Sequence, residues 1–170
     1  MEFTVIRGDI AAQQADVLVN AAGTSLEMGS GVAGALRRGA GGGINDEAVS
    51  QGPIDLGAVA VTDAYDLDAE WVIHAAAMPH YGDGQATAES IRTATQNSLA
   101  RADDLGCESL VLPTLGCGVA GFDLREGARL ICTELAAYEP ESLTDVRLIG
   151  YGEDEVESIR AAAADVRDGQ

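Results

Sequence analysis

The sequence predicts an α/β layered domain with a mostly parallel central sheet. Two observations predict it. Short β-branched or aliphatic runs alternate with amphipathic segments at helical spacing along the chain. Glycine-rich loops fall at the ends of strand-like runs, where open α/β sheets place their ligand crevices. The 170 residues suffice for a substantial core. The expectation is one domain over residues 1–170.

The elements follow in order. A first strand is expected over residues 2–7, with Phe3, Val5 and Arg7 on one face and Thr4 and Ile6 on the other. Gly8-Asp9-Ile10 ends it and leaves Asp9 at a strand-to-loop junction. Val17-Leu18-Val19 reads as a short buried strand that delivers Asn20-Ala21-Ala22-Gly23 to its carboxyl end. A helix is expected over 32–38, broken by the glycines at 39 and 41–43, with a short helix near 45–50. Strands over 58–62 and 71–75 flank a polar turn at 63–70. Ile91, Ala94, Leu99, Ala102 and Leu105 recur near helical spacing across 87–105, and Gly106 is the expected cap. A central strand over 110–112 leads into a glycine loop. Leu124, Ala128, Ile131 and Leu135 then mark another amphipathic helix. A strand over 146–149 and a helix carrying Val156, Ile159, Ala163 and Val166 complete the pattern.

Charge narrows the function classes. Twenty-eight acidic residues face 10 basic ones, every one an arginine, for a formal net charge of −18. Such a surface repels nucleic acid and anionic lipid, so neither is an expected partner. No apolar run nears the ~20 residues that cross a bilayer, and residues 1–5 show no secretory pattern. A cytoplasmic protein is the expectation. Acidity without lysine resembles cytosolic proteins of salt-accumulating halophiles. At about 1 M salt the Debye length falls to about 3 Å, so self-repulsion is screened there and costly in dilute buffer. The expected outcome is a melting temperature that drops on dilution into low salt; one unchanged between low and molar salt would contradict it. Cys107, Cys117 and Cys132 lie far apart with no CxxC pair. That spacing gives no metal signature and no disulfide framework.

Two stretches carry the chemistry. Pro113-Thr114-Leu115-Gly116-Cys117-Gly118-Val119-Ala120-Gly121-Phe122 and Met28-Gly29-Ser30-Gly31-Val32-Ala33-Gly34 are both glycine-spaced and both run into helices. Without Cβ atoms, backbone N–H groups in such loops can converge on a phosphate with no charged side chain. Two such loops in a small chain point to a diphosphate.

Five stretches occurring in order then resemble the successive motifs of the macrodomain family. They are Gly8-Asp9-Ile10, Val19-Asn20-Ala21-Ala22, Gly29-Ser30-Gly31-Val32-Ala33-Gly34-Ala35-Leu36, Val72-Ile73-His74, and Pro113 to Phe122. The resemblance implies a three-layer α/β/α fold with a mixed, mostly parallel sheet, binding ADP-ribose in a cleft at the strand ends. It implies that Asp9 accepts from the adenine amine and that the Ile10 N–H meets a ring nitrogen. A group that only accepts hydrogen bonds favours an amine over a carbonyl. Gly29, Ser30, Gly31 and Val32 on one side, and Gly116, Cys117, Gly118, Val119 and Ala120 on the other, would clamp the diphosphate. Tyr151 would neighbour the adenine, and Asn20 would face the distal ribose as the one side chain able to orient a hydroxyl or a water. His74 looks structural. Cys117 is explained by small size rather than nucleophilic use.

The departures bear on activity. Hydrolases of the best-understood type in this family carry a second asparagine and a loop aspartate where this chain has Gly23 and Ala33. Neither residue can orient or activate a water. A second hydrolase type uses a lysine, which the chain lacks, and Ile44-Asn45-Asp46-Glu47 does not reproduce the paired glutamates of a third. Ala120 stands where an aromatic residue often packs on the distal ribose, with Phe122 as a partial substitute. The leading expectation is a binding module or slow enzyme, with at most weak processing activity, for ADP-ribose or its derivatives, free or on modified proteins, with no cofactor and no metal. The alternative is a hydrolase acting on ADP-ribosylated protein, O-acetyl-ADP-ribose or ADP-ribose-1″-phosphate, with Asn20 in the catalytic position.

Overall fold

The structure, a computed structural model, describes residues 1–80, 82–118 and 121–169. Strands β1 (Thr4–Arg7), β2 (Val17–Gly23), β3 (Val59–Asp63), β4 (Trp71–Met78), β5 (Ser109–Leu112) and β6 (Asp145–Gly150) form one sheet in the order β1-β6-β5-β2-β4-β3. Every neighbouring pair is parallel except β3 with β4. The exception follows from connection length, because residues 64–70 are too few for a crossover helix and allow only an antiparallel return.

Helices α1 (Gly31–Ala40) and α2 (Ile44–Ser50) cover one face, and α3 (Ala88–Asp104), α4 (Leu124–Ala137) and α5 (Glu153–Asp168) cover the other. The strand period of two divides the core between the layers. Val17 and Val19 face α3–α5, whereas Leu18 and Ala22 face α1 and α2. In β5, Leu110 and Leu112 likewise point opposite to Val111. The three-layer α/β/α fold with a mixed, mostly parallel sheet is therefore as expected.

Several boundaries differ from the sequence reading. The strands at 17 and 71 run to Gly23 and Met78 rather than stopping at 19 and 75. Asn20 looks like a strand end but sits in register with His74 on the next strand, where its Nδ2 bonds the imidazole while its buried Oδ1 has no partner among the described residues. The first strand starts at Thr4, and a 3-10 turn (Ile10–Ala12) follows it. Leu105 caps α3, while Gly106, at φ +74, takes the next position and closes the helix with bonds from Gly106 N–H to Asp103 O and Cys107 N–H to Ala102 O.

Candidate functional site: a cleft across the strand ends

A cleft of about 670 Å³ opens where the parallel strands end. Its walls come from the ends of β1 (Gly8, Asp9, Ile10), β6 (Ile149, Tyr151), β5 (Pro113, Thr114, Gly116, Cys117, Gly118), β2 (Ala21, Ala22) and β4 (Met78), from the starts of α4 (Leu124) and α5 (Glu155), and from α1. Five adjacent strand ends at about 4.8 Å spacing make a trough roughly 19 Å long. That length suits an extended ligand.

At the β1–β6 end, the Gly8 N–H bonds Gly150 O at 3.0 Å and carries the pairing one residue past β1. Asp9 then caps the 3-10 turn, its Oδ1 accepting the Ala11 N–H at 2.9 Å. The Asp9 carboxylate is exposed to the cleft with capacity left over, and the Ile10 N–H has no acceptor among the described residues. Tyr151, 76% exposed, stands on the rim beside them.

The middle of the cleft gathers free backbone donors. Ser30 is the N-cap of α1 in an extended conformation, and its side chain makes no capping bond. The N–H groups of Gly31, Val32 and Ala33 find no acceptor among the described residues, so the positive end of the helix faces the trough. Gly31 takes φ +61, and Gly116 and Gly118 across the cleft take +77 and +73. These are backbone states that glycine adopts at little cost.

Arg38 also lines the trough. Its Nη1 lies 3.2 Å from where a Cβ on Gly34 would sit, so the side chain folds back one turn along α1 toward the free N–H groups. The described wall beside these donors therefore includes a cation, where the sequence had suggested backbone donors alone. Among the described residues, the acidic groups of the cleft are Asp9 and Glu155. Glu155 Oε1 accepts from the Thr114 hydroxyl at 3.3 Å, and its Oε2 accepts from the Tyr151 N–H at 3.2 Å.

Cys117 presents no nucleophile. Burial, with Asp123 and Glu155 nearby, pushes its thiol up to about 11, so it stays protonated at neutral pH. A Cβ on Gly127 of α4 would overlap its sulfur, so a small residue at 117 and a glycine at 127 together let loop and helix pack.

Asn20 does not line the cleft. Its Nδ2 donates to His74 Nδ1 at 3.0 Å, and His74 Nε2 meets Thr62 Oγ1 at 2.9 Å, while the Thr62 hydroxyl donates to Asp63 O. That direction of donation makes Nε2 the protonated nitrogen of His74. Burial lowers the imidazole to about 4, so it is neutral. Alternation along β2 turns Asn20 to the α1–α2 face, under the sheet rather than at its end. Phe122 also stays out, packing half-buried on the core beside Gly127. Gly29 neighbours the α1 N-terminus without lining the cleft. Val119 and Ala120 lie outside the described residues.

Comparison with known proteins agrees with this fold. The Macro domain family profile matches residues 19–131. The chain belongs to the macrodomain family. It is 37% identical over 162 residues to a Mycobacterium tuberculosis protein, covering 95% of this chain but 45% of that protein. The chain thus spans less than half the length of the first such relatives. A "Macro domain-containing protein" of Streptomyces coelicolor is 34% identical over 154 residues, covering 86% of this chain and 89% of the relative. Among solved structures, the Trypanosoma brucei macrodomain in complex with ADP-ribose superposes with a TM-score of 0.82 at 26% identity, covering 92% of this chain and 67% of that one. The Oceanobacillus iheyensis macrodomain with ADP superposes at 0.88, with 20% identity and coverage of 98% and 92%.

In this macrodomain the wall at the β2–β4 end is apolar, made by Ala21, Ala22 and Met78. The Ala33 methyl is buried against the core and does not line the trough. A side chain on Gly23 would meet Pro79 O at 3.1 Å, because β2 and β4 shift register there. The sequence reading thus brings together Asp9, Ile10, Ser30, Gly31, Val32, Gly116, Cys117, Gly118 and Tyr151, and leaves out Arg38, Thr114 and Glu155. Helical spacing carried a signal for Arg38, since Gly31, Ala35 and Arg38 share one face of α1. Nothing local marked Glu155.

Proposed function

We propose that this macrodomain binds ADP-ribose or compounds built on it, with adenine at Asp9, Ile10 and Tyr151 and the diphosphate between α1 and the Gly116–Gly118 loop. The observation that carries this is the meeting of three unpartnered N–H groups at the α1 N-terminus with the positive-φ glycines of the opposite loop, at mid-trough. The dipole and the Arg38 guanidinium both favour an anion at that point. Macrodomains of similar fold have been solved with ADP-ribose and with ADP, which supports the ligand class.

Binding is the reading favoured over hydrolysis. Hydrolysis at the distal ribose needs a group that orients or activates a water there. Ala21, Ala22 and Met78 supply none, and Asn20 bonds to His74 instead. Calorimetry with ADP-ribose tests the reading directly. Asp9→Ser keeps an acceptor for the Ala11 N–H but withdraws the carboxylate from the base. The expected result is a loss of roughly tenfold to a hundredfold in ADP-ribose affinity, the worth of one charge-assisted hydrogen bond. No heat with ADP-ribose, alongside clear heat with a guanine or pyrimidine diphosphate, would overturn the reading.

A further inference from the structure

We infer that Glu155 reads the sugar next to the adenine and restricts the site to ADP-ribose whose adenosine hydroxyls carry no phosphate. The inference rests on the ADP-ribose reading above and adds a limit on the substrate class. Glu155 belongs to the first turn of α5 and reaches back into the cleft. Its two oxygens are held by the Thr114 hydroxyl at 3.3 Å and the Tyr151 N–H at 3.2 Å. Thr114 leads into the glycine loop, and Tyr151 stands on the rim at the adenine end. The carboxylate therefore sits between the two subsites, where ADP-ribose has the ribose that joins adenine to diphosphate.

The chemistry of that position is selective. A carboxylate only accepts, and one donor on each oxygen leaves further lone pairs for a vicinal diol. Both present partners are neutral, so the negative charge is not cancelled locally. Among the described cleft residues the other charges are Asp9 at the adenine end and Arg38, which folds toward the α1 N-terminus and the diphosphate. A phosphate on either hydroxyl replaces a donor with a dianion a few ångströms from Glu155. It forfeits the hydrogen bond and adds like-charge repulsion, which excludes the wrong ligand by an unfavourable contact. An acidic residue reads an unmodified ribose in the same way in dinucleotide-binding folds.

The test compares ADP-ribose with 2′-phospho-ADP-ribose by calorimetry, on the wild-type chain and on Glu155→Gln, with melting curves to confirm folding. Glutamine keeps an acceptor and the size of the side chain but removes the charge. The wild type is expected to prefer ADP-ribose by at least about tenfold, and the variant is expected to close most of that gap by gaining affinity for the phosphorylated ligand. Equal wild-type affinities, or an unchanged preference in Glu155→Gln while ADP-ribose still binds, would overturn the role of Glu155 and leave the ADP-ribose reading intact. Binding of neither ligand would overturn both.

Discussion

Valine at position 116 is expected to abolish measurable ADP-ribose binding and to lower stability by about 3–5 kcal/mol. Gly116 holds φ +77, a region that costs an L-residue about 1–2 kcal/mol and a β-branched one more. Its missing Cβ also matters, because one placed there would lie 2.8 Å from both Ala86 Cβ and Ile91 Cγ1. Overpacking of this kind typically adds about 1–3 kcal/mol. The loop can relieve the overlap only by moving away from α3, which takes the glycine turn out of the trough. Gly118 makes a useful contrast. It also takes a positive φ, +73, but a Cβ there meets nothing within 4 Å among the described residues. Gly118→Ala should therefore carry only the conformational cost. Thermal melts and calorimetry on the two variants check this; a Gly116→Val chain that melts and binds like wild type would show that the loop is not anchored by its packing on α3.

Removal of the Asp103 carboxylate is expected to destabilise the fold by about 3–5 kcal/mol without altering the cleft, the usual cost of breaking a buried charged network. Asp103 lies in the last turn of α3, buried, and organises the segment that joins α4 to β6. It accepts from the Tyr138 hydroxyl at 2.6 Å, from the N–H groups of Glu141, Ser142 and Leu143 at 2.9–3.0 Å, and from the Ser142 hydroxyl at 3.0 Å. Burial alone raises the carboxyl, but these donors outweigh it and hold the group at about 2. A carboxyl depressed in the folded state stabilises above its unfolded value, near 4, and loses that contribution as pH falls toward 2. Asp103→Ala should accordingly melt about 6–15 °C lower at neutral pH. The gap between wild type and variant should shrink between pH 4 and pH 2. Comparing the two chains cancels the separate effect of titrating an acidic surface. A gap that stayed constant down to pH 2 would mean that Asp103 stabilises by packing rather than as an anion.

Much of the fold was legible because it rests on local patterns. Val17-Leu18-Val19 and Leu110-Val111-Leu112 are apolar throughout, as strands covered on both faces must be, and Leu124, Ala128, Ile131 and Leu135 repeat at helical spacing. The glycine loops were equally visible, because Gly31, Gly116 and Gly118 occupy backbone states that other residues resist. The polar residues were harder to place. Asn20 follows a buried strand and reads as a residue at the cleft edge, yet one further step along β2 would have turned its side chain to the other face. Whether it bonds a ligand or His74 depends on the register of β2 against β4, and that register is a non-local quantity.

The sequence by itself determined the layered α/β fold, the placing of Asp9 just past a strand end and the existence of two glycine loops, because periodicity and glycine conformation act over a few neighbouring residues. Only the tertiary structure decided that Asn20 is committed to His74, that Arg38 folds over Gly34 into the cleft, and that Glu155 is held between Thr114 and Tyr151. Each of these depends on which side chain meets which across strands, helices and turns. Long polar side chains can swing several ångströms from their Cα atoms, so their partners are set by packing and register rather than by position in the chain.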